Sequence, residues 1–556
     1  MEVDKINSLV ELYFNKFEQI DKNKPFLEWL NPEKNFKYNW KEVTETIFKV
    51  SSKIKDLIKN GDRVLLLSEN RPEWLITDLA IMNAGGVTVP IFTTYSERDY
   101  QYILYDCSPS LIIVSNSLQY EKIKKYVNNK KVISFEKIND YIDDFKKIFK
   151  ENFEKKINQN LNRKMPACII YTSGTSGNPK GVILSHGGIL SNCEGALELL
   201  QPIIKKKDPI FLTWLPLSHS YEHTVQMIQI LLGAKVFYAE NLEKLISNMA
   251  VSKPTIMTAV PRFYQTLFTK INLNFDKQKG FKKLLIFQTV NLGKKILNKD
   301  NLTFLEKVQN FICNILVRRK IKKQFGGNLQ AFVSGGGALD KNVGEFLNAI
   351  GLPTLQGYGL TETSPVVSCN IPGMVKVETV GPPFRTNEVK IASDGEILIK
   401  GENVMLGYWN KKEATDEVLK DGWLHTGDIG EIDQNGNLKI TDRKKDIIVN
   451  TGGDNISPSK IENILCLNDI IKQSFVYGDK KNYLVALIVC EKEINRDKIK
   501  LIIENINKSL TLIEKIKKFV LIHEEFTIEN GMLTPTLKLK RKEIIKNYKQ
   551  QLENLY

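Results

Sequence analysis

Hydrophobic residues return along the first part of the chain with two alternating spacings, one typical of helices and one typical of buried strands. Between residues 40 and 60, apolar positions recur every three or four residues and stop at an Asn-Gly pair, which predicts a helix and its end. Short apolar runs rich in β-branched residues predict strands at 63–68 and 86–92, with a helix at 72–84 between them. This order predicts a β-α-β unit with parallel strands.

The same alternation continues along the chain and sets the expected fold class. A helix is predicted at 222–232, and further strands are predicted at 111–114, 167–172, 210–214, 235–238, 255–260 and 329–334. We therefore expect an α/β protein with a large N-terminal domain of mainly parallel sheets and helices.

Beyond residue 380 the pattern changes to short strands, and an Asn-Gly pair at 435–436 predicts a hairpin turn. We expect a small β subdomain there. From residue 444 the chain predicts a small α+β C-terminal domain, with strands near 475–477, 484–489 and 519–522 and Lys-rich helices near 494–518 and 541–553. The predicted domains are 1–443 and 444–556.

Two segments depart from the alternation. Residues 146–164 are rich in Lys and Asn with few apolar positions, which predicts a solvated helix or loop. Residues 264–325 predict helices that end in basic residues and carry one apolar stripe, formed by Phe304, Val308, Phe311, Ile312, Ile315 and Leu316. A basic amphipathic helix can lie on a membrane surface. The interpretation favoured by the sequence is a stripe that faces the core.

Composition restricts the class of protein. A chain of 556 residues is longer than a single hydrophobic core usually supports, so at least two domains are expected. A content of 42% hydrophobic and 26% charged residues is ordinary for a globular protein. The net charge of +15 comes mostly from Lys. A protein that recognises nucleic acid would be expected to use more Arg for contacts to bases and phosphates, so the composition argues against that class. Contact with an anionic membrane or substrate stays open. Seven scattered cysteines and an N-terminus without signal-peptide order predict a cytoplasmic protein, with peripheral attachment at the inner membrane face left open.

The most distinctive chemistry lies in residues 171–181, YTSGTSGNPKG, which follow a predicted buried strand. Glycines turn consecutive backbone N–H groups toward one point, hydroxyls add donors, and Lys adds a positive charge, a combination that suits a polyphosphate. The spacing lacks the adjacent Gly-Lys-Ser/Thr of a Walker loop. The candidate binding residues are Thr172, Ser173, Gly174, Thr175, Ser176, Gly177 and Lys180.

Further motifs follow in order. The glycine turn in SGGGAL, at 334–339, can lie against a flat ring, and QGYGLTET, at 356–363, supplies an aromatic face, a hydroxyl and the carboxylate of Glu362. Glu362 is a candidate ligand of Mg²⁺, which binds few carboxylates plus phosphate oxygens.

Two charged motifs stand near the predicted domain junction. WLHTGD ends at Asp428, whose carboxylate can accept hydrogen bonds from two ribose hydroxyls, and DRKKD, at 442–446, carries both signs of charge. Each motif is weak alone, and their joint order is informative.

Taken together, YTSGTSGNPKG, SGGGAL, QGYGLTET, WLHTGD and TDRKKD resemble the motifs of the adenylate-forming acyl-activating enzymes. The run 421–445 is similar to the signature segment of fatty acyl-CoA synthetases, and TPTLKLKR, at 534–541, resembles the C-terminal catalytic loop of their long-chain members. The resemblance implies a mobile C-terminal domain and an ATP- and Mg²⁺-dependent ligase. It would convert a medium- to long-chain fatty acid to acyl-AMP and transfer the acyl group to coenzyme A.

The resemblance also implies roles for single residues. The catalytic residues would be Lys538, Thr361, Glu362 and His219, with Glu362 as the metal ligand. The ATP-binding residues would be those of the 171–181 loop together with Gly335, Gly336, Gly337, Ala338, Gln356, Gly357, Tyr358, Gly359, Asp428 and Arg443. Lys445 would be the hinge, and Gly452 and Gly453 would guide the pantetheine arm of coenzyme A.

Several alternatives stay open from the sequence. The acceptor can be an acyl carrier protein, the acid can be of another kind, or the chain can bind nucleotide without catalysis. His219 can be a satisfied residue at a strand end instead of a site residue. Leu537 stands where the wider superfamily often has Gly, so Lys540 competes with Lys538 for the catalytic role.

Overall fold

The structure is a computed structural model that describes residues 2–34, 36–172, 178–205, 207–534 and 537–556. The predicted phosphate-loop residues Ser173, Gly174, Thr175, Ser176 and Gly177 lie outside these described ranges.

The strands in the first 250 residues are β1 (Pro25–Trp29), β2 (Lys37–Asn39), β3 (Arg63–Leu67), β4 (Val87–Ile91), β5 (Leu111–Val114), β6 (Lys131–Ser134), β7 (Asp143–Asp144), β8 (Pro166–Thr172), β9 (Lys180–Ser185), β10 (Ile210–Thr213) and β11 (Lys235–Tyr238). The middle of the chain adds β12 (Ile256–Ala259), β13 (Ala331–Ser334), β14 (Thr354–Gly359), β15 (Val366–Cys369), β16 (Asn387–Ile391), β17 (Glu396–Gly401), β18 (Gly407–Tyr408), β19 (Leu419–Lys420), β20 (Trp423–Ile432) and β21 (Leu438–Arg443). The C-terminal part adds β22 (Ile448–Val449), β23 (Asn455–Ile456), β24 (Gln473–Tyr477), β25 (Leu484–Val489) and β26 (Ile516–Ile522).

The helices of the first half are α1 (Leu9–Gln19), α2 (Trp40–Lys55), α3 (Pro72–Asn83), α4 (Glu97–Cys107), α5 (Ser117–Ile123), α6 (Phe145–Ile148), α7 (His186–Ile204), α8 (Ser220–Leu232) and α9 (Leu245–Ser252). Those of the second half are α10 (Pro261–Asp276), α11 (Gly280–Leu297), α12 (Phe304–Cys313), α13 (Arg319–Gln324), α14 (Lys341–Ala349), α15 (Lys412–Val418), α16 (Pro458–Leu465), α17 (Arg496–Asn507) and α18 (Arg541–Glu553).

Two eight-stranded sheets form the frame of the N-terminal part. One has the order β15-β14-β13-β12-β10-β11-β1-β2, and its strands from β14 to β1 run parallel. The other has the order β18-β9-β8-β4-β3-β5-β6-β7, and its strands from β8 to β7 run parallel. Antiparallel pairs stand only at the ends of these two sheets. The predicted α/β class with mainly parallel sheets is confirmed.

Helices α3 and α8 pack in a core that contains residues of both sheets. Every residue of α3 is buried, and so is nearly every residue of α8, which explains why neither helix has a polar outer face. One pair of polar side chains joins the two helices: the imidazole of His223 lies 2.9 Å from a carboxylate oxygen of Asp78.

The predicted β subdomain is present as an antiparallel sheet of β16, β17, β20 and β19, with β21 paired to β20. The C-terminal part holds a three-stranded sheet, β24-β25-β26, with α16, α17 and α18. The helix predicted at 541–553 is confirmed by α18. The helix predicted at 494–518 is wrong beyond Asn507, because the chain turns there and enters strand β26 at Ile516.

The apolar stripe in residues 304–316 does not face the core, and that expectation is corrected. Phe304 is 79% exposed and Phe311 is 64% exposed. The opposite side of α12, with Cys313 buried, faces the protein. Periodicity defined the stripe correctly but gave no information about which side of the helix is covered.

Candidate active site

The predicted phosphate loop connects two antiparallel strands. Thr172 at the end of β8 and Lys180 at the start of β9 are register partners, and the Thr172 hydroxyl donates to the Lys180 carbonyl at 3.4 Å. A Walker loop leads from a strand into a helix, whereas this loop leads into a second strand. The geometry therefore agrees with the sequence in separating this site from an ordinary P-loop.

Lys180 and Glu362 are joined by a residue that the sequence analysis missed. The Lys180 Nζ lies 4.7 Å from the centre of the Tyr408 ring, and the Tyr408 hydroxyl donates to Glu362 Oε1 at 2.8 Å. Strand β18 brings Tyr408 here because it pairs with β9, with Tyr408 opposite Val182. The sequence signal was slight, since Gly407-Tyr408-Trp409 follows no recognisable strand.

Asp428 is the centre of a second group. It lies opposite Arg443 in the β20–β21 ladder and is buried. Its Oδ1 accepts from Arg443 Nε at 2.9 Å, and its Oδ2 accepts from the Tyr358 hydroxyl at 2.7 Å. The neighbouring Asp428 charge raises the pKa of the Arg443 guanidinium. A carboxylate offers about four acceptor positions, so two remain for a ligand.

A glycine turn follows strand β13 and leaves backbone open to a ligand. A Cβ on Gly335 would come within 2.8 Å of the Tyr221 ring, and Gly336 has a φ of +80°, so both positions favour glycine. Gly336, Gly337 and Ala338 are exposed. On the adjacent strand β14, the Gln356 Oε1 is buried without a hydrogen-bond partner among the described residues, so it can accept from a ligand.

The first turn of α8 meets the Thr361 segment. The hydroxyls of Thr361 and Ser220 lie 3.0 Å apart. His219 is the N-cap of α8, and its Nδ1 accepts from the Tyr221 backbone N–H at 3.1 Å. Burial, together with the nearby charge of Lys538, lowers the pKa of His219 to about 4. His219 is therefore neutral here and stands at a helix start, not at a strand end.

Lys538 approaches this site from the C-terminal part of the chain. The Thr534 backbone N–H donates to the Lys538 carbonyl, and the Lys538 N–H donates to the Thr534 hydroxyl. Leu537, between them, adopts a φ of +62°. A left-handed conformation favours Gly, which accounts for the Gly of the wider superfamily at this position. Lys540, by contrast, stands at the start of α18, where its N–H donates to the Met532 carbonyl.

The electrostatics of Lys538 identify its neighbours. Burial by the surrounding protein is the main cause that lowers the pKa of its ammonium group, and the positive charge of Arg443 acts in the same direction. Asp428 and Glu362 act in the opposite direction. The side chain is nevertheless accessible to solvent. We call the space that it shares with these groups the cleft. Lys538 thus faces both acidic groups of the site.

The remaining predicted residues lie elsewhere in the C-terminal part. Lys445 is an exposed residue of the turn between β21 and β22. Gly452 and Gly453 lie between β22 and β23, and Gly453 has a φ of +83°. Neighbouring Thr451 bonds to Lys481 and Asn482 of the same domain, so this hairpin is attached to its own domain.

Glu222, in the first turn of α8, is a buried acid near the cleft. Its Oε2 accepts from the Thr258 hydroxyl at 2.7 Å, and burial raises its pKa to about 7. Because the folded pKa lies above the unfolded value, the stability that this group contributes is complete at low pH and is lost as pH rises through about 7.

We expect Glu222→Gln to be more stable than the wild type at pH 8, by about 2–3 kcal/mol. Gln keeps the acceptor for Thr258 and carries no charge to bury. Urea unfolding of both proteins at pH 5 and pH 8 measures the difference. A stability difference that does not change with pH would contradict the raised pKa.

Comparison with known proteins places the chain in a family. The family described as AMP-binding enzyme matches residues 15–409, and the AMP-binding enzyme C-terminal domain matches residues 445–556. The chain is 30% identical to long-chain-fatty-acid–CoA ligase FadD15 of Mycobacterium tuberculosis, with 90% of this chain and 88% of the relative covered. It is 31% identical to long-chain-fatty-acid–CoA ligase 5 of Rattus norvegicus, with 98% of this chain and 88% of the relative covered.

A solved structure shows the same fold. ATP-bound MatB from Rhodopseudomonas palustris superposes with a TM-score of 0.74 at 21% identity, covering 98% of this chain and all of MatB. At that identity the likeness concerns the fold alone. The match of the first family over most of the sequence settles membership: the chain belongs to the AMP-binding enzyme family.

Proposed function

We propose that this enzyme activates a fatty acid with ATP and transfers it to coenzyme A. In the first step, a carboxylate oxygen of the acid attacks the α-phosphorus of ATP, and the bond to the β-phosphate breaks. Acyl-AMP and pyrophosphate result. In the second step, the sulfur of coenzyme A attacks the acyl carbon, and AMP leaves as the thioester forms.

One observation carries the proposal: Lys538, Asp428 with Arg443, and Glu362 come from separate parts of the chain and share one cleft. Two carboxylates beside two cations form a site that can hold a nucleotide and stabilise charge on transferring phosphate. In-line displacement at phosphorus needs positioning and cationic stabilisation and no nucleophilic side chain.

The described residues suggest how the nucleotide is held. The adenine ring would lie between the exposed 336–338 backbone and Tyr358, with Gln356 Oε1 as an acceptor. The free acceptor positions of Asp428 would receive the two ribose hydroxyls. Thr361 would donate to the α-phosphate, and Lys180, with the 173–177 loop, would contact the β and γ phosphates.

The residues fit a magnesium ion bound with ATP. Among the described residues, no cluster of three or more His, Cys, Asp or Glu could hold a metal. Mg²⁺ usually takes one or two carboxylates and completes its coordination with phosphate oxygens and water. Glu362 can provide the one carboxylate, oriented by the Tyr408 hydroxyl. When bound, the ion would neutralise charge on the phosphates.

Lys538 would act in the first step only. Its ammonium lies near Arg443, Asp428 and Glu362, which would bind the nucleotide, and there it can stabilise charge on the reacting phosphate and the acid. For the second step, we propose that the C-terminal domain turns about Lys445 and brings the hairpin with Gly452 and Gly453 to the cleft. There the backbone of the hairpin would guide the pantetheine arm.

The acid is proposed to be a medium- to long-chain fatty acid, in line with the relatives that are named as long-chain ligases. The test measures product formation by mass spectrometry for saturated acids of increasing length, each offered with coenzyme A or with acyl carrier protein. We expect acyl-CoA to form, with the highest kcat/KM for the longer acids. Exclusive acylation of carrier protein, or exclusive use of a non-fatty acid, would contradict the proposal.

We expect Tyr408→Phe to raise the Mg²⁺ concentration needed for half-maximal activity by roughly tenfold. The substitution keeps the ring beside Lys180 and removes only the hydroxyl that orients Glu362. A hydrogen bond to a charged group contributes about 1.5–3 kcal/mol. Titration of activity with MgCl₂ at saturating ATP measures the effect. Tyr477→Phe is the matched control, because it removes a tyrosine hydroxyl that donates to Glu553, a residue outside the candidate active site. It should leave the titration unchanged.

A further inference from the structure

The positive charge of the chain is concentrated in one helical segment. Residues 261–325, here called the basic segment, contain 15 Lys and Arg against three Asp and Glu, a net charge of +12. The whole chain carries +15, so the other residues are nearly balanced. The basic segment forms helices α10, α11, α12 and α13. Such a concentration indicates an anionic partner.

The same segment exposes a continuous apolar face. On α12 and the π-helical turn that follows it, the exposed side chains are Phe304, Leu305, Val308, Phe311, Ile312, Ile315 and Leu316. Their spacing of three and four residues places them on one side of the helix. Helix α11 adds Phe281, Leu284 and Phe287, which are all more than half exposed. We call these ten residues the apolar face.

The two parts of the apolar face are neighbours. Helices α11 and α12 are antiparallel, since Lys295 pairs with Glu306 at 2.6 Å and the Cys313 thiol lies 3.9 Å from the Leu285 carbonyl. Residues 281–287 therefore lie beside the C-terminal half of the α12 stripe. Exposed apolar patches of this kind are rare on the surface of a soluble protein and mark interaction sites.

Polar contacts hold the covered side of these helices. The Arg318 guanidinium donates to the Ala349 carbonyl at 2.7 Å, to Asn310 Oδ1 at 2.7 Å and to the Thr289 carbonyl at 3.0 Å. One side chain thus ties α12 to both α11 and α14. The covered side also buries Cys313, Val317 and Ile321, whereas the phenylalanines of the stripe face outward.

We propose that the apolar face is a docking surface for an anionic lipid bilayer. Its phenylalanines and leucines would insert between acyl chains, while the surrounding lysines and arginines would contact lipid phosphates. The exposed cations of the basic segment include Lys277, Lys279, Lys282, Lys283, Lys295, Lys299, Lys307, Arg319, Lys320 and Lys323. A second copy of this chain fits less well, because two basic segments would repel each other.

The contact would be peripheral. Among the described residues, no helix is long and apolar enough to cross a membrane. Helix α10 starts at Pro261, which packs close to Gly337 in the candidate active site, and its 16 residues span about 24 Å. Docking would thus place the cleft near a source of fatty acid. That benefit rests on the proposed function, whereas docking itself does not.

The test is co-sedimentation of the purified protein with vesicles of phosphatidylcholine, alone or with about 30% phosphatidylglycerol. Each Lys near an anionic surface contributes about fivefold to binding. We expect binding to the anionic vesicles to be at least roughly tenfold stronger, and to weaken as salt is added. Equal binding to both vesicle types, or no binding, would overturn the proposal.

Two variants test the surface, each with a matched control. Phe304→Ser with Phe311→Ser and Leu316→Ser should abolish binding, whereas the control Tyr141→Ser with Leu501→Ser and Leu512→Ser should bind normally. Lys282→Gln with Lys283→Gln and Lys320→Gln should weaken binding at least roughly tenfold. Its control is Lys492→Gln with Lys500→Gln and Lys517→Gln. All the substituted side chains are exposed, so folding should persist, and circular dichroism checks this.

Two further measurements separate the other outcomes. Light scattering gives the mass of the wild type and of the Phe304, Phe311 and Leu316 variant. A dimer that the substitutions dissociate, together with absent vesicle binding, would assign the face to a second copy and overturn the proposal. Ligase activity on a dissolved medium-chain acid, without vesicles, is measured in parallel, so loss of docking is distinguished from failure of the proposed function.

Discussion

Lys538→Ala is expected to lower the rate of acyl-AMP formation by roughly two to three orders of magnitude, as is typical when one charge-stabilising group is removed. The physical reason is the position of the ammonium beside Arg443, Asp428 and Glu362. In this cleft it can meet the charge that develops as pyrophosphate departs, and Ala offers no replacement. Single-turnover formation of radiolabelled acyl-AMP, measured without coenzyme A, reports this step.

The transfer of the acyl group to coenzyme A shows whether Lys538→Ala affects adenylation alone or impairs the whole enzyme. Conversion of supplied acyl-AMP to thioester should continue in Lys538→Ala, because the rotated domain would present other residues. Lys540→Ala is the control: Lys540 stands at the start of α18 and should change acyl-AMP formation by less than a factor of about five. An equal loss in both half-reactions, or a larger loss with Lys540→Ala, would contradict the assignment of Lys538.

Asp428→Ala is expected to raise the KM for ATP by roughly a hundredfold, equivalent to about 3 kcal/mol. The substitution removes the carboxylate that would accept hydrogen bonds from the ribose. It also frees Arg443 and Tyr358, which Asp428 holds at 2.9 Å and 2.7 Å. Initial rates over a range of ATP concentrations, at saturating acid and coenzyme A, measure the change.

Glu431→Ala serves as the matched control for Asp428→Ala. Glu431 lies on the same strand, is exposed, and pairs with Lys439 on the neighbouring strand. Its removal should leave the KM for ATP within about twofold of the wild type. If Asp428→Ala left the ATP dependence unchanged, Asp428 would have no place in the nucleotide site.

The fold could be predicted from the sequence wherever periodicity and element length agreed. Residues 63–92 show this: two apolar β-branched runs flank a helix, and the structure has β3, α3 and β4 there in parallel arrangement. The helix predicted at 494–518 ran too far, because the adjacent Lys517 and Lys518 separate Ile516 from Phe519 by three positions, a spacing that also suits a helix.

The site was predictable as separate motifs but not as a geometry. The sequence named Asp428 and Arg443, and only the ladder of β20 and β21 placed them opposite each other. Tyr408 was missed because its role depends on β18 pairing with a strand more than two hundred residues earlier. Long-range pairing of this kind leaves no local signal.

The stripe on α12 shows a different limit. A helical period defines an apolar face, yet whether that face is covered depends on which neighbouring elements reach it. The sequence favoured a core-facing stripe because most apolar helical faces are buried. In the structure, the covered side carries Arg318, which bonds to α11 and α14, and the phenylalanines lie outside.

The central claim is that one cleft brings ATP and a fatty acid together for adenylation. Pyrophosphate release from the purified protein, given ATP, Mg²⁺ and a panel of fatty acids without coenzyme A, tests it most directly. We expect pyrophosphate release that requires both the acid and Mg²⁺, with acyl-AMP formed in equal amount. Absence of pyrophosphate with every acid in the panel would contradict it.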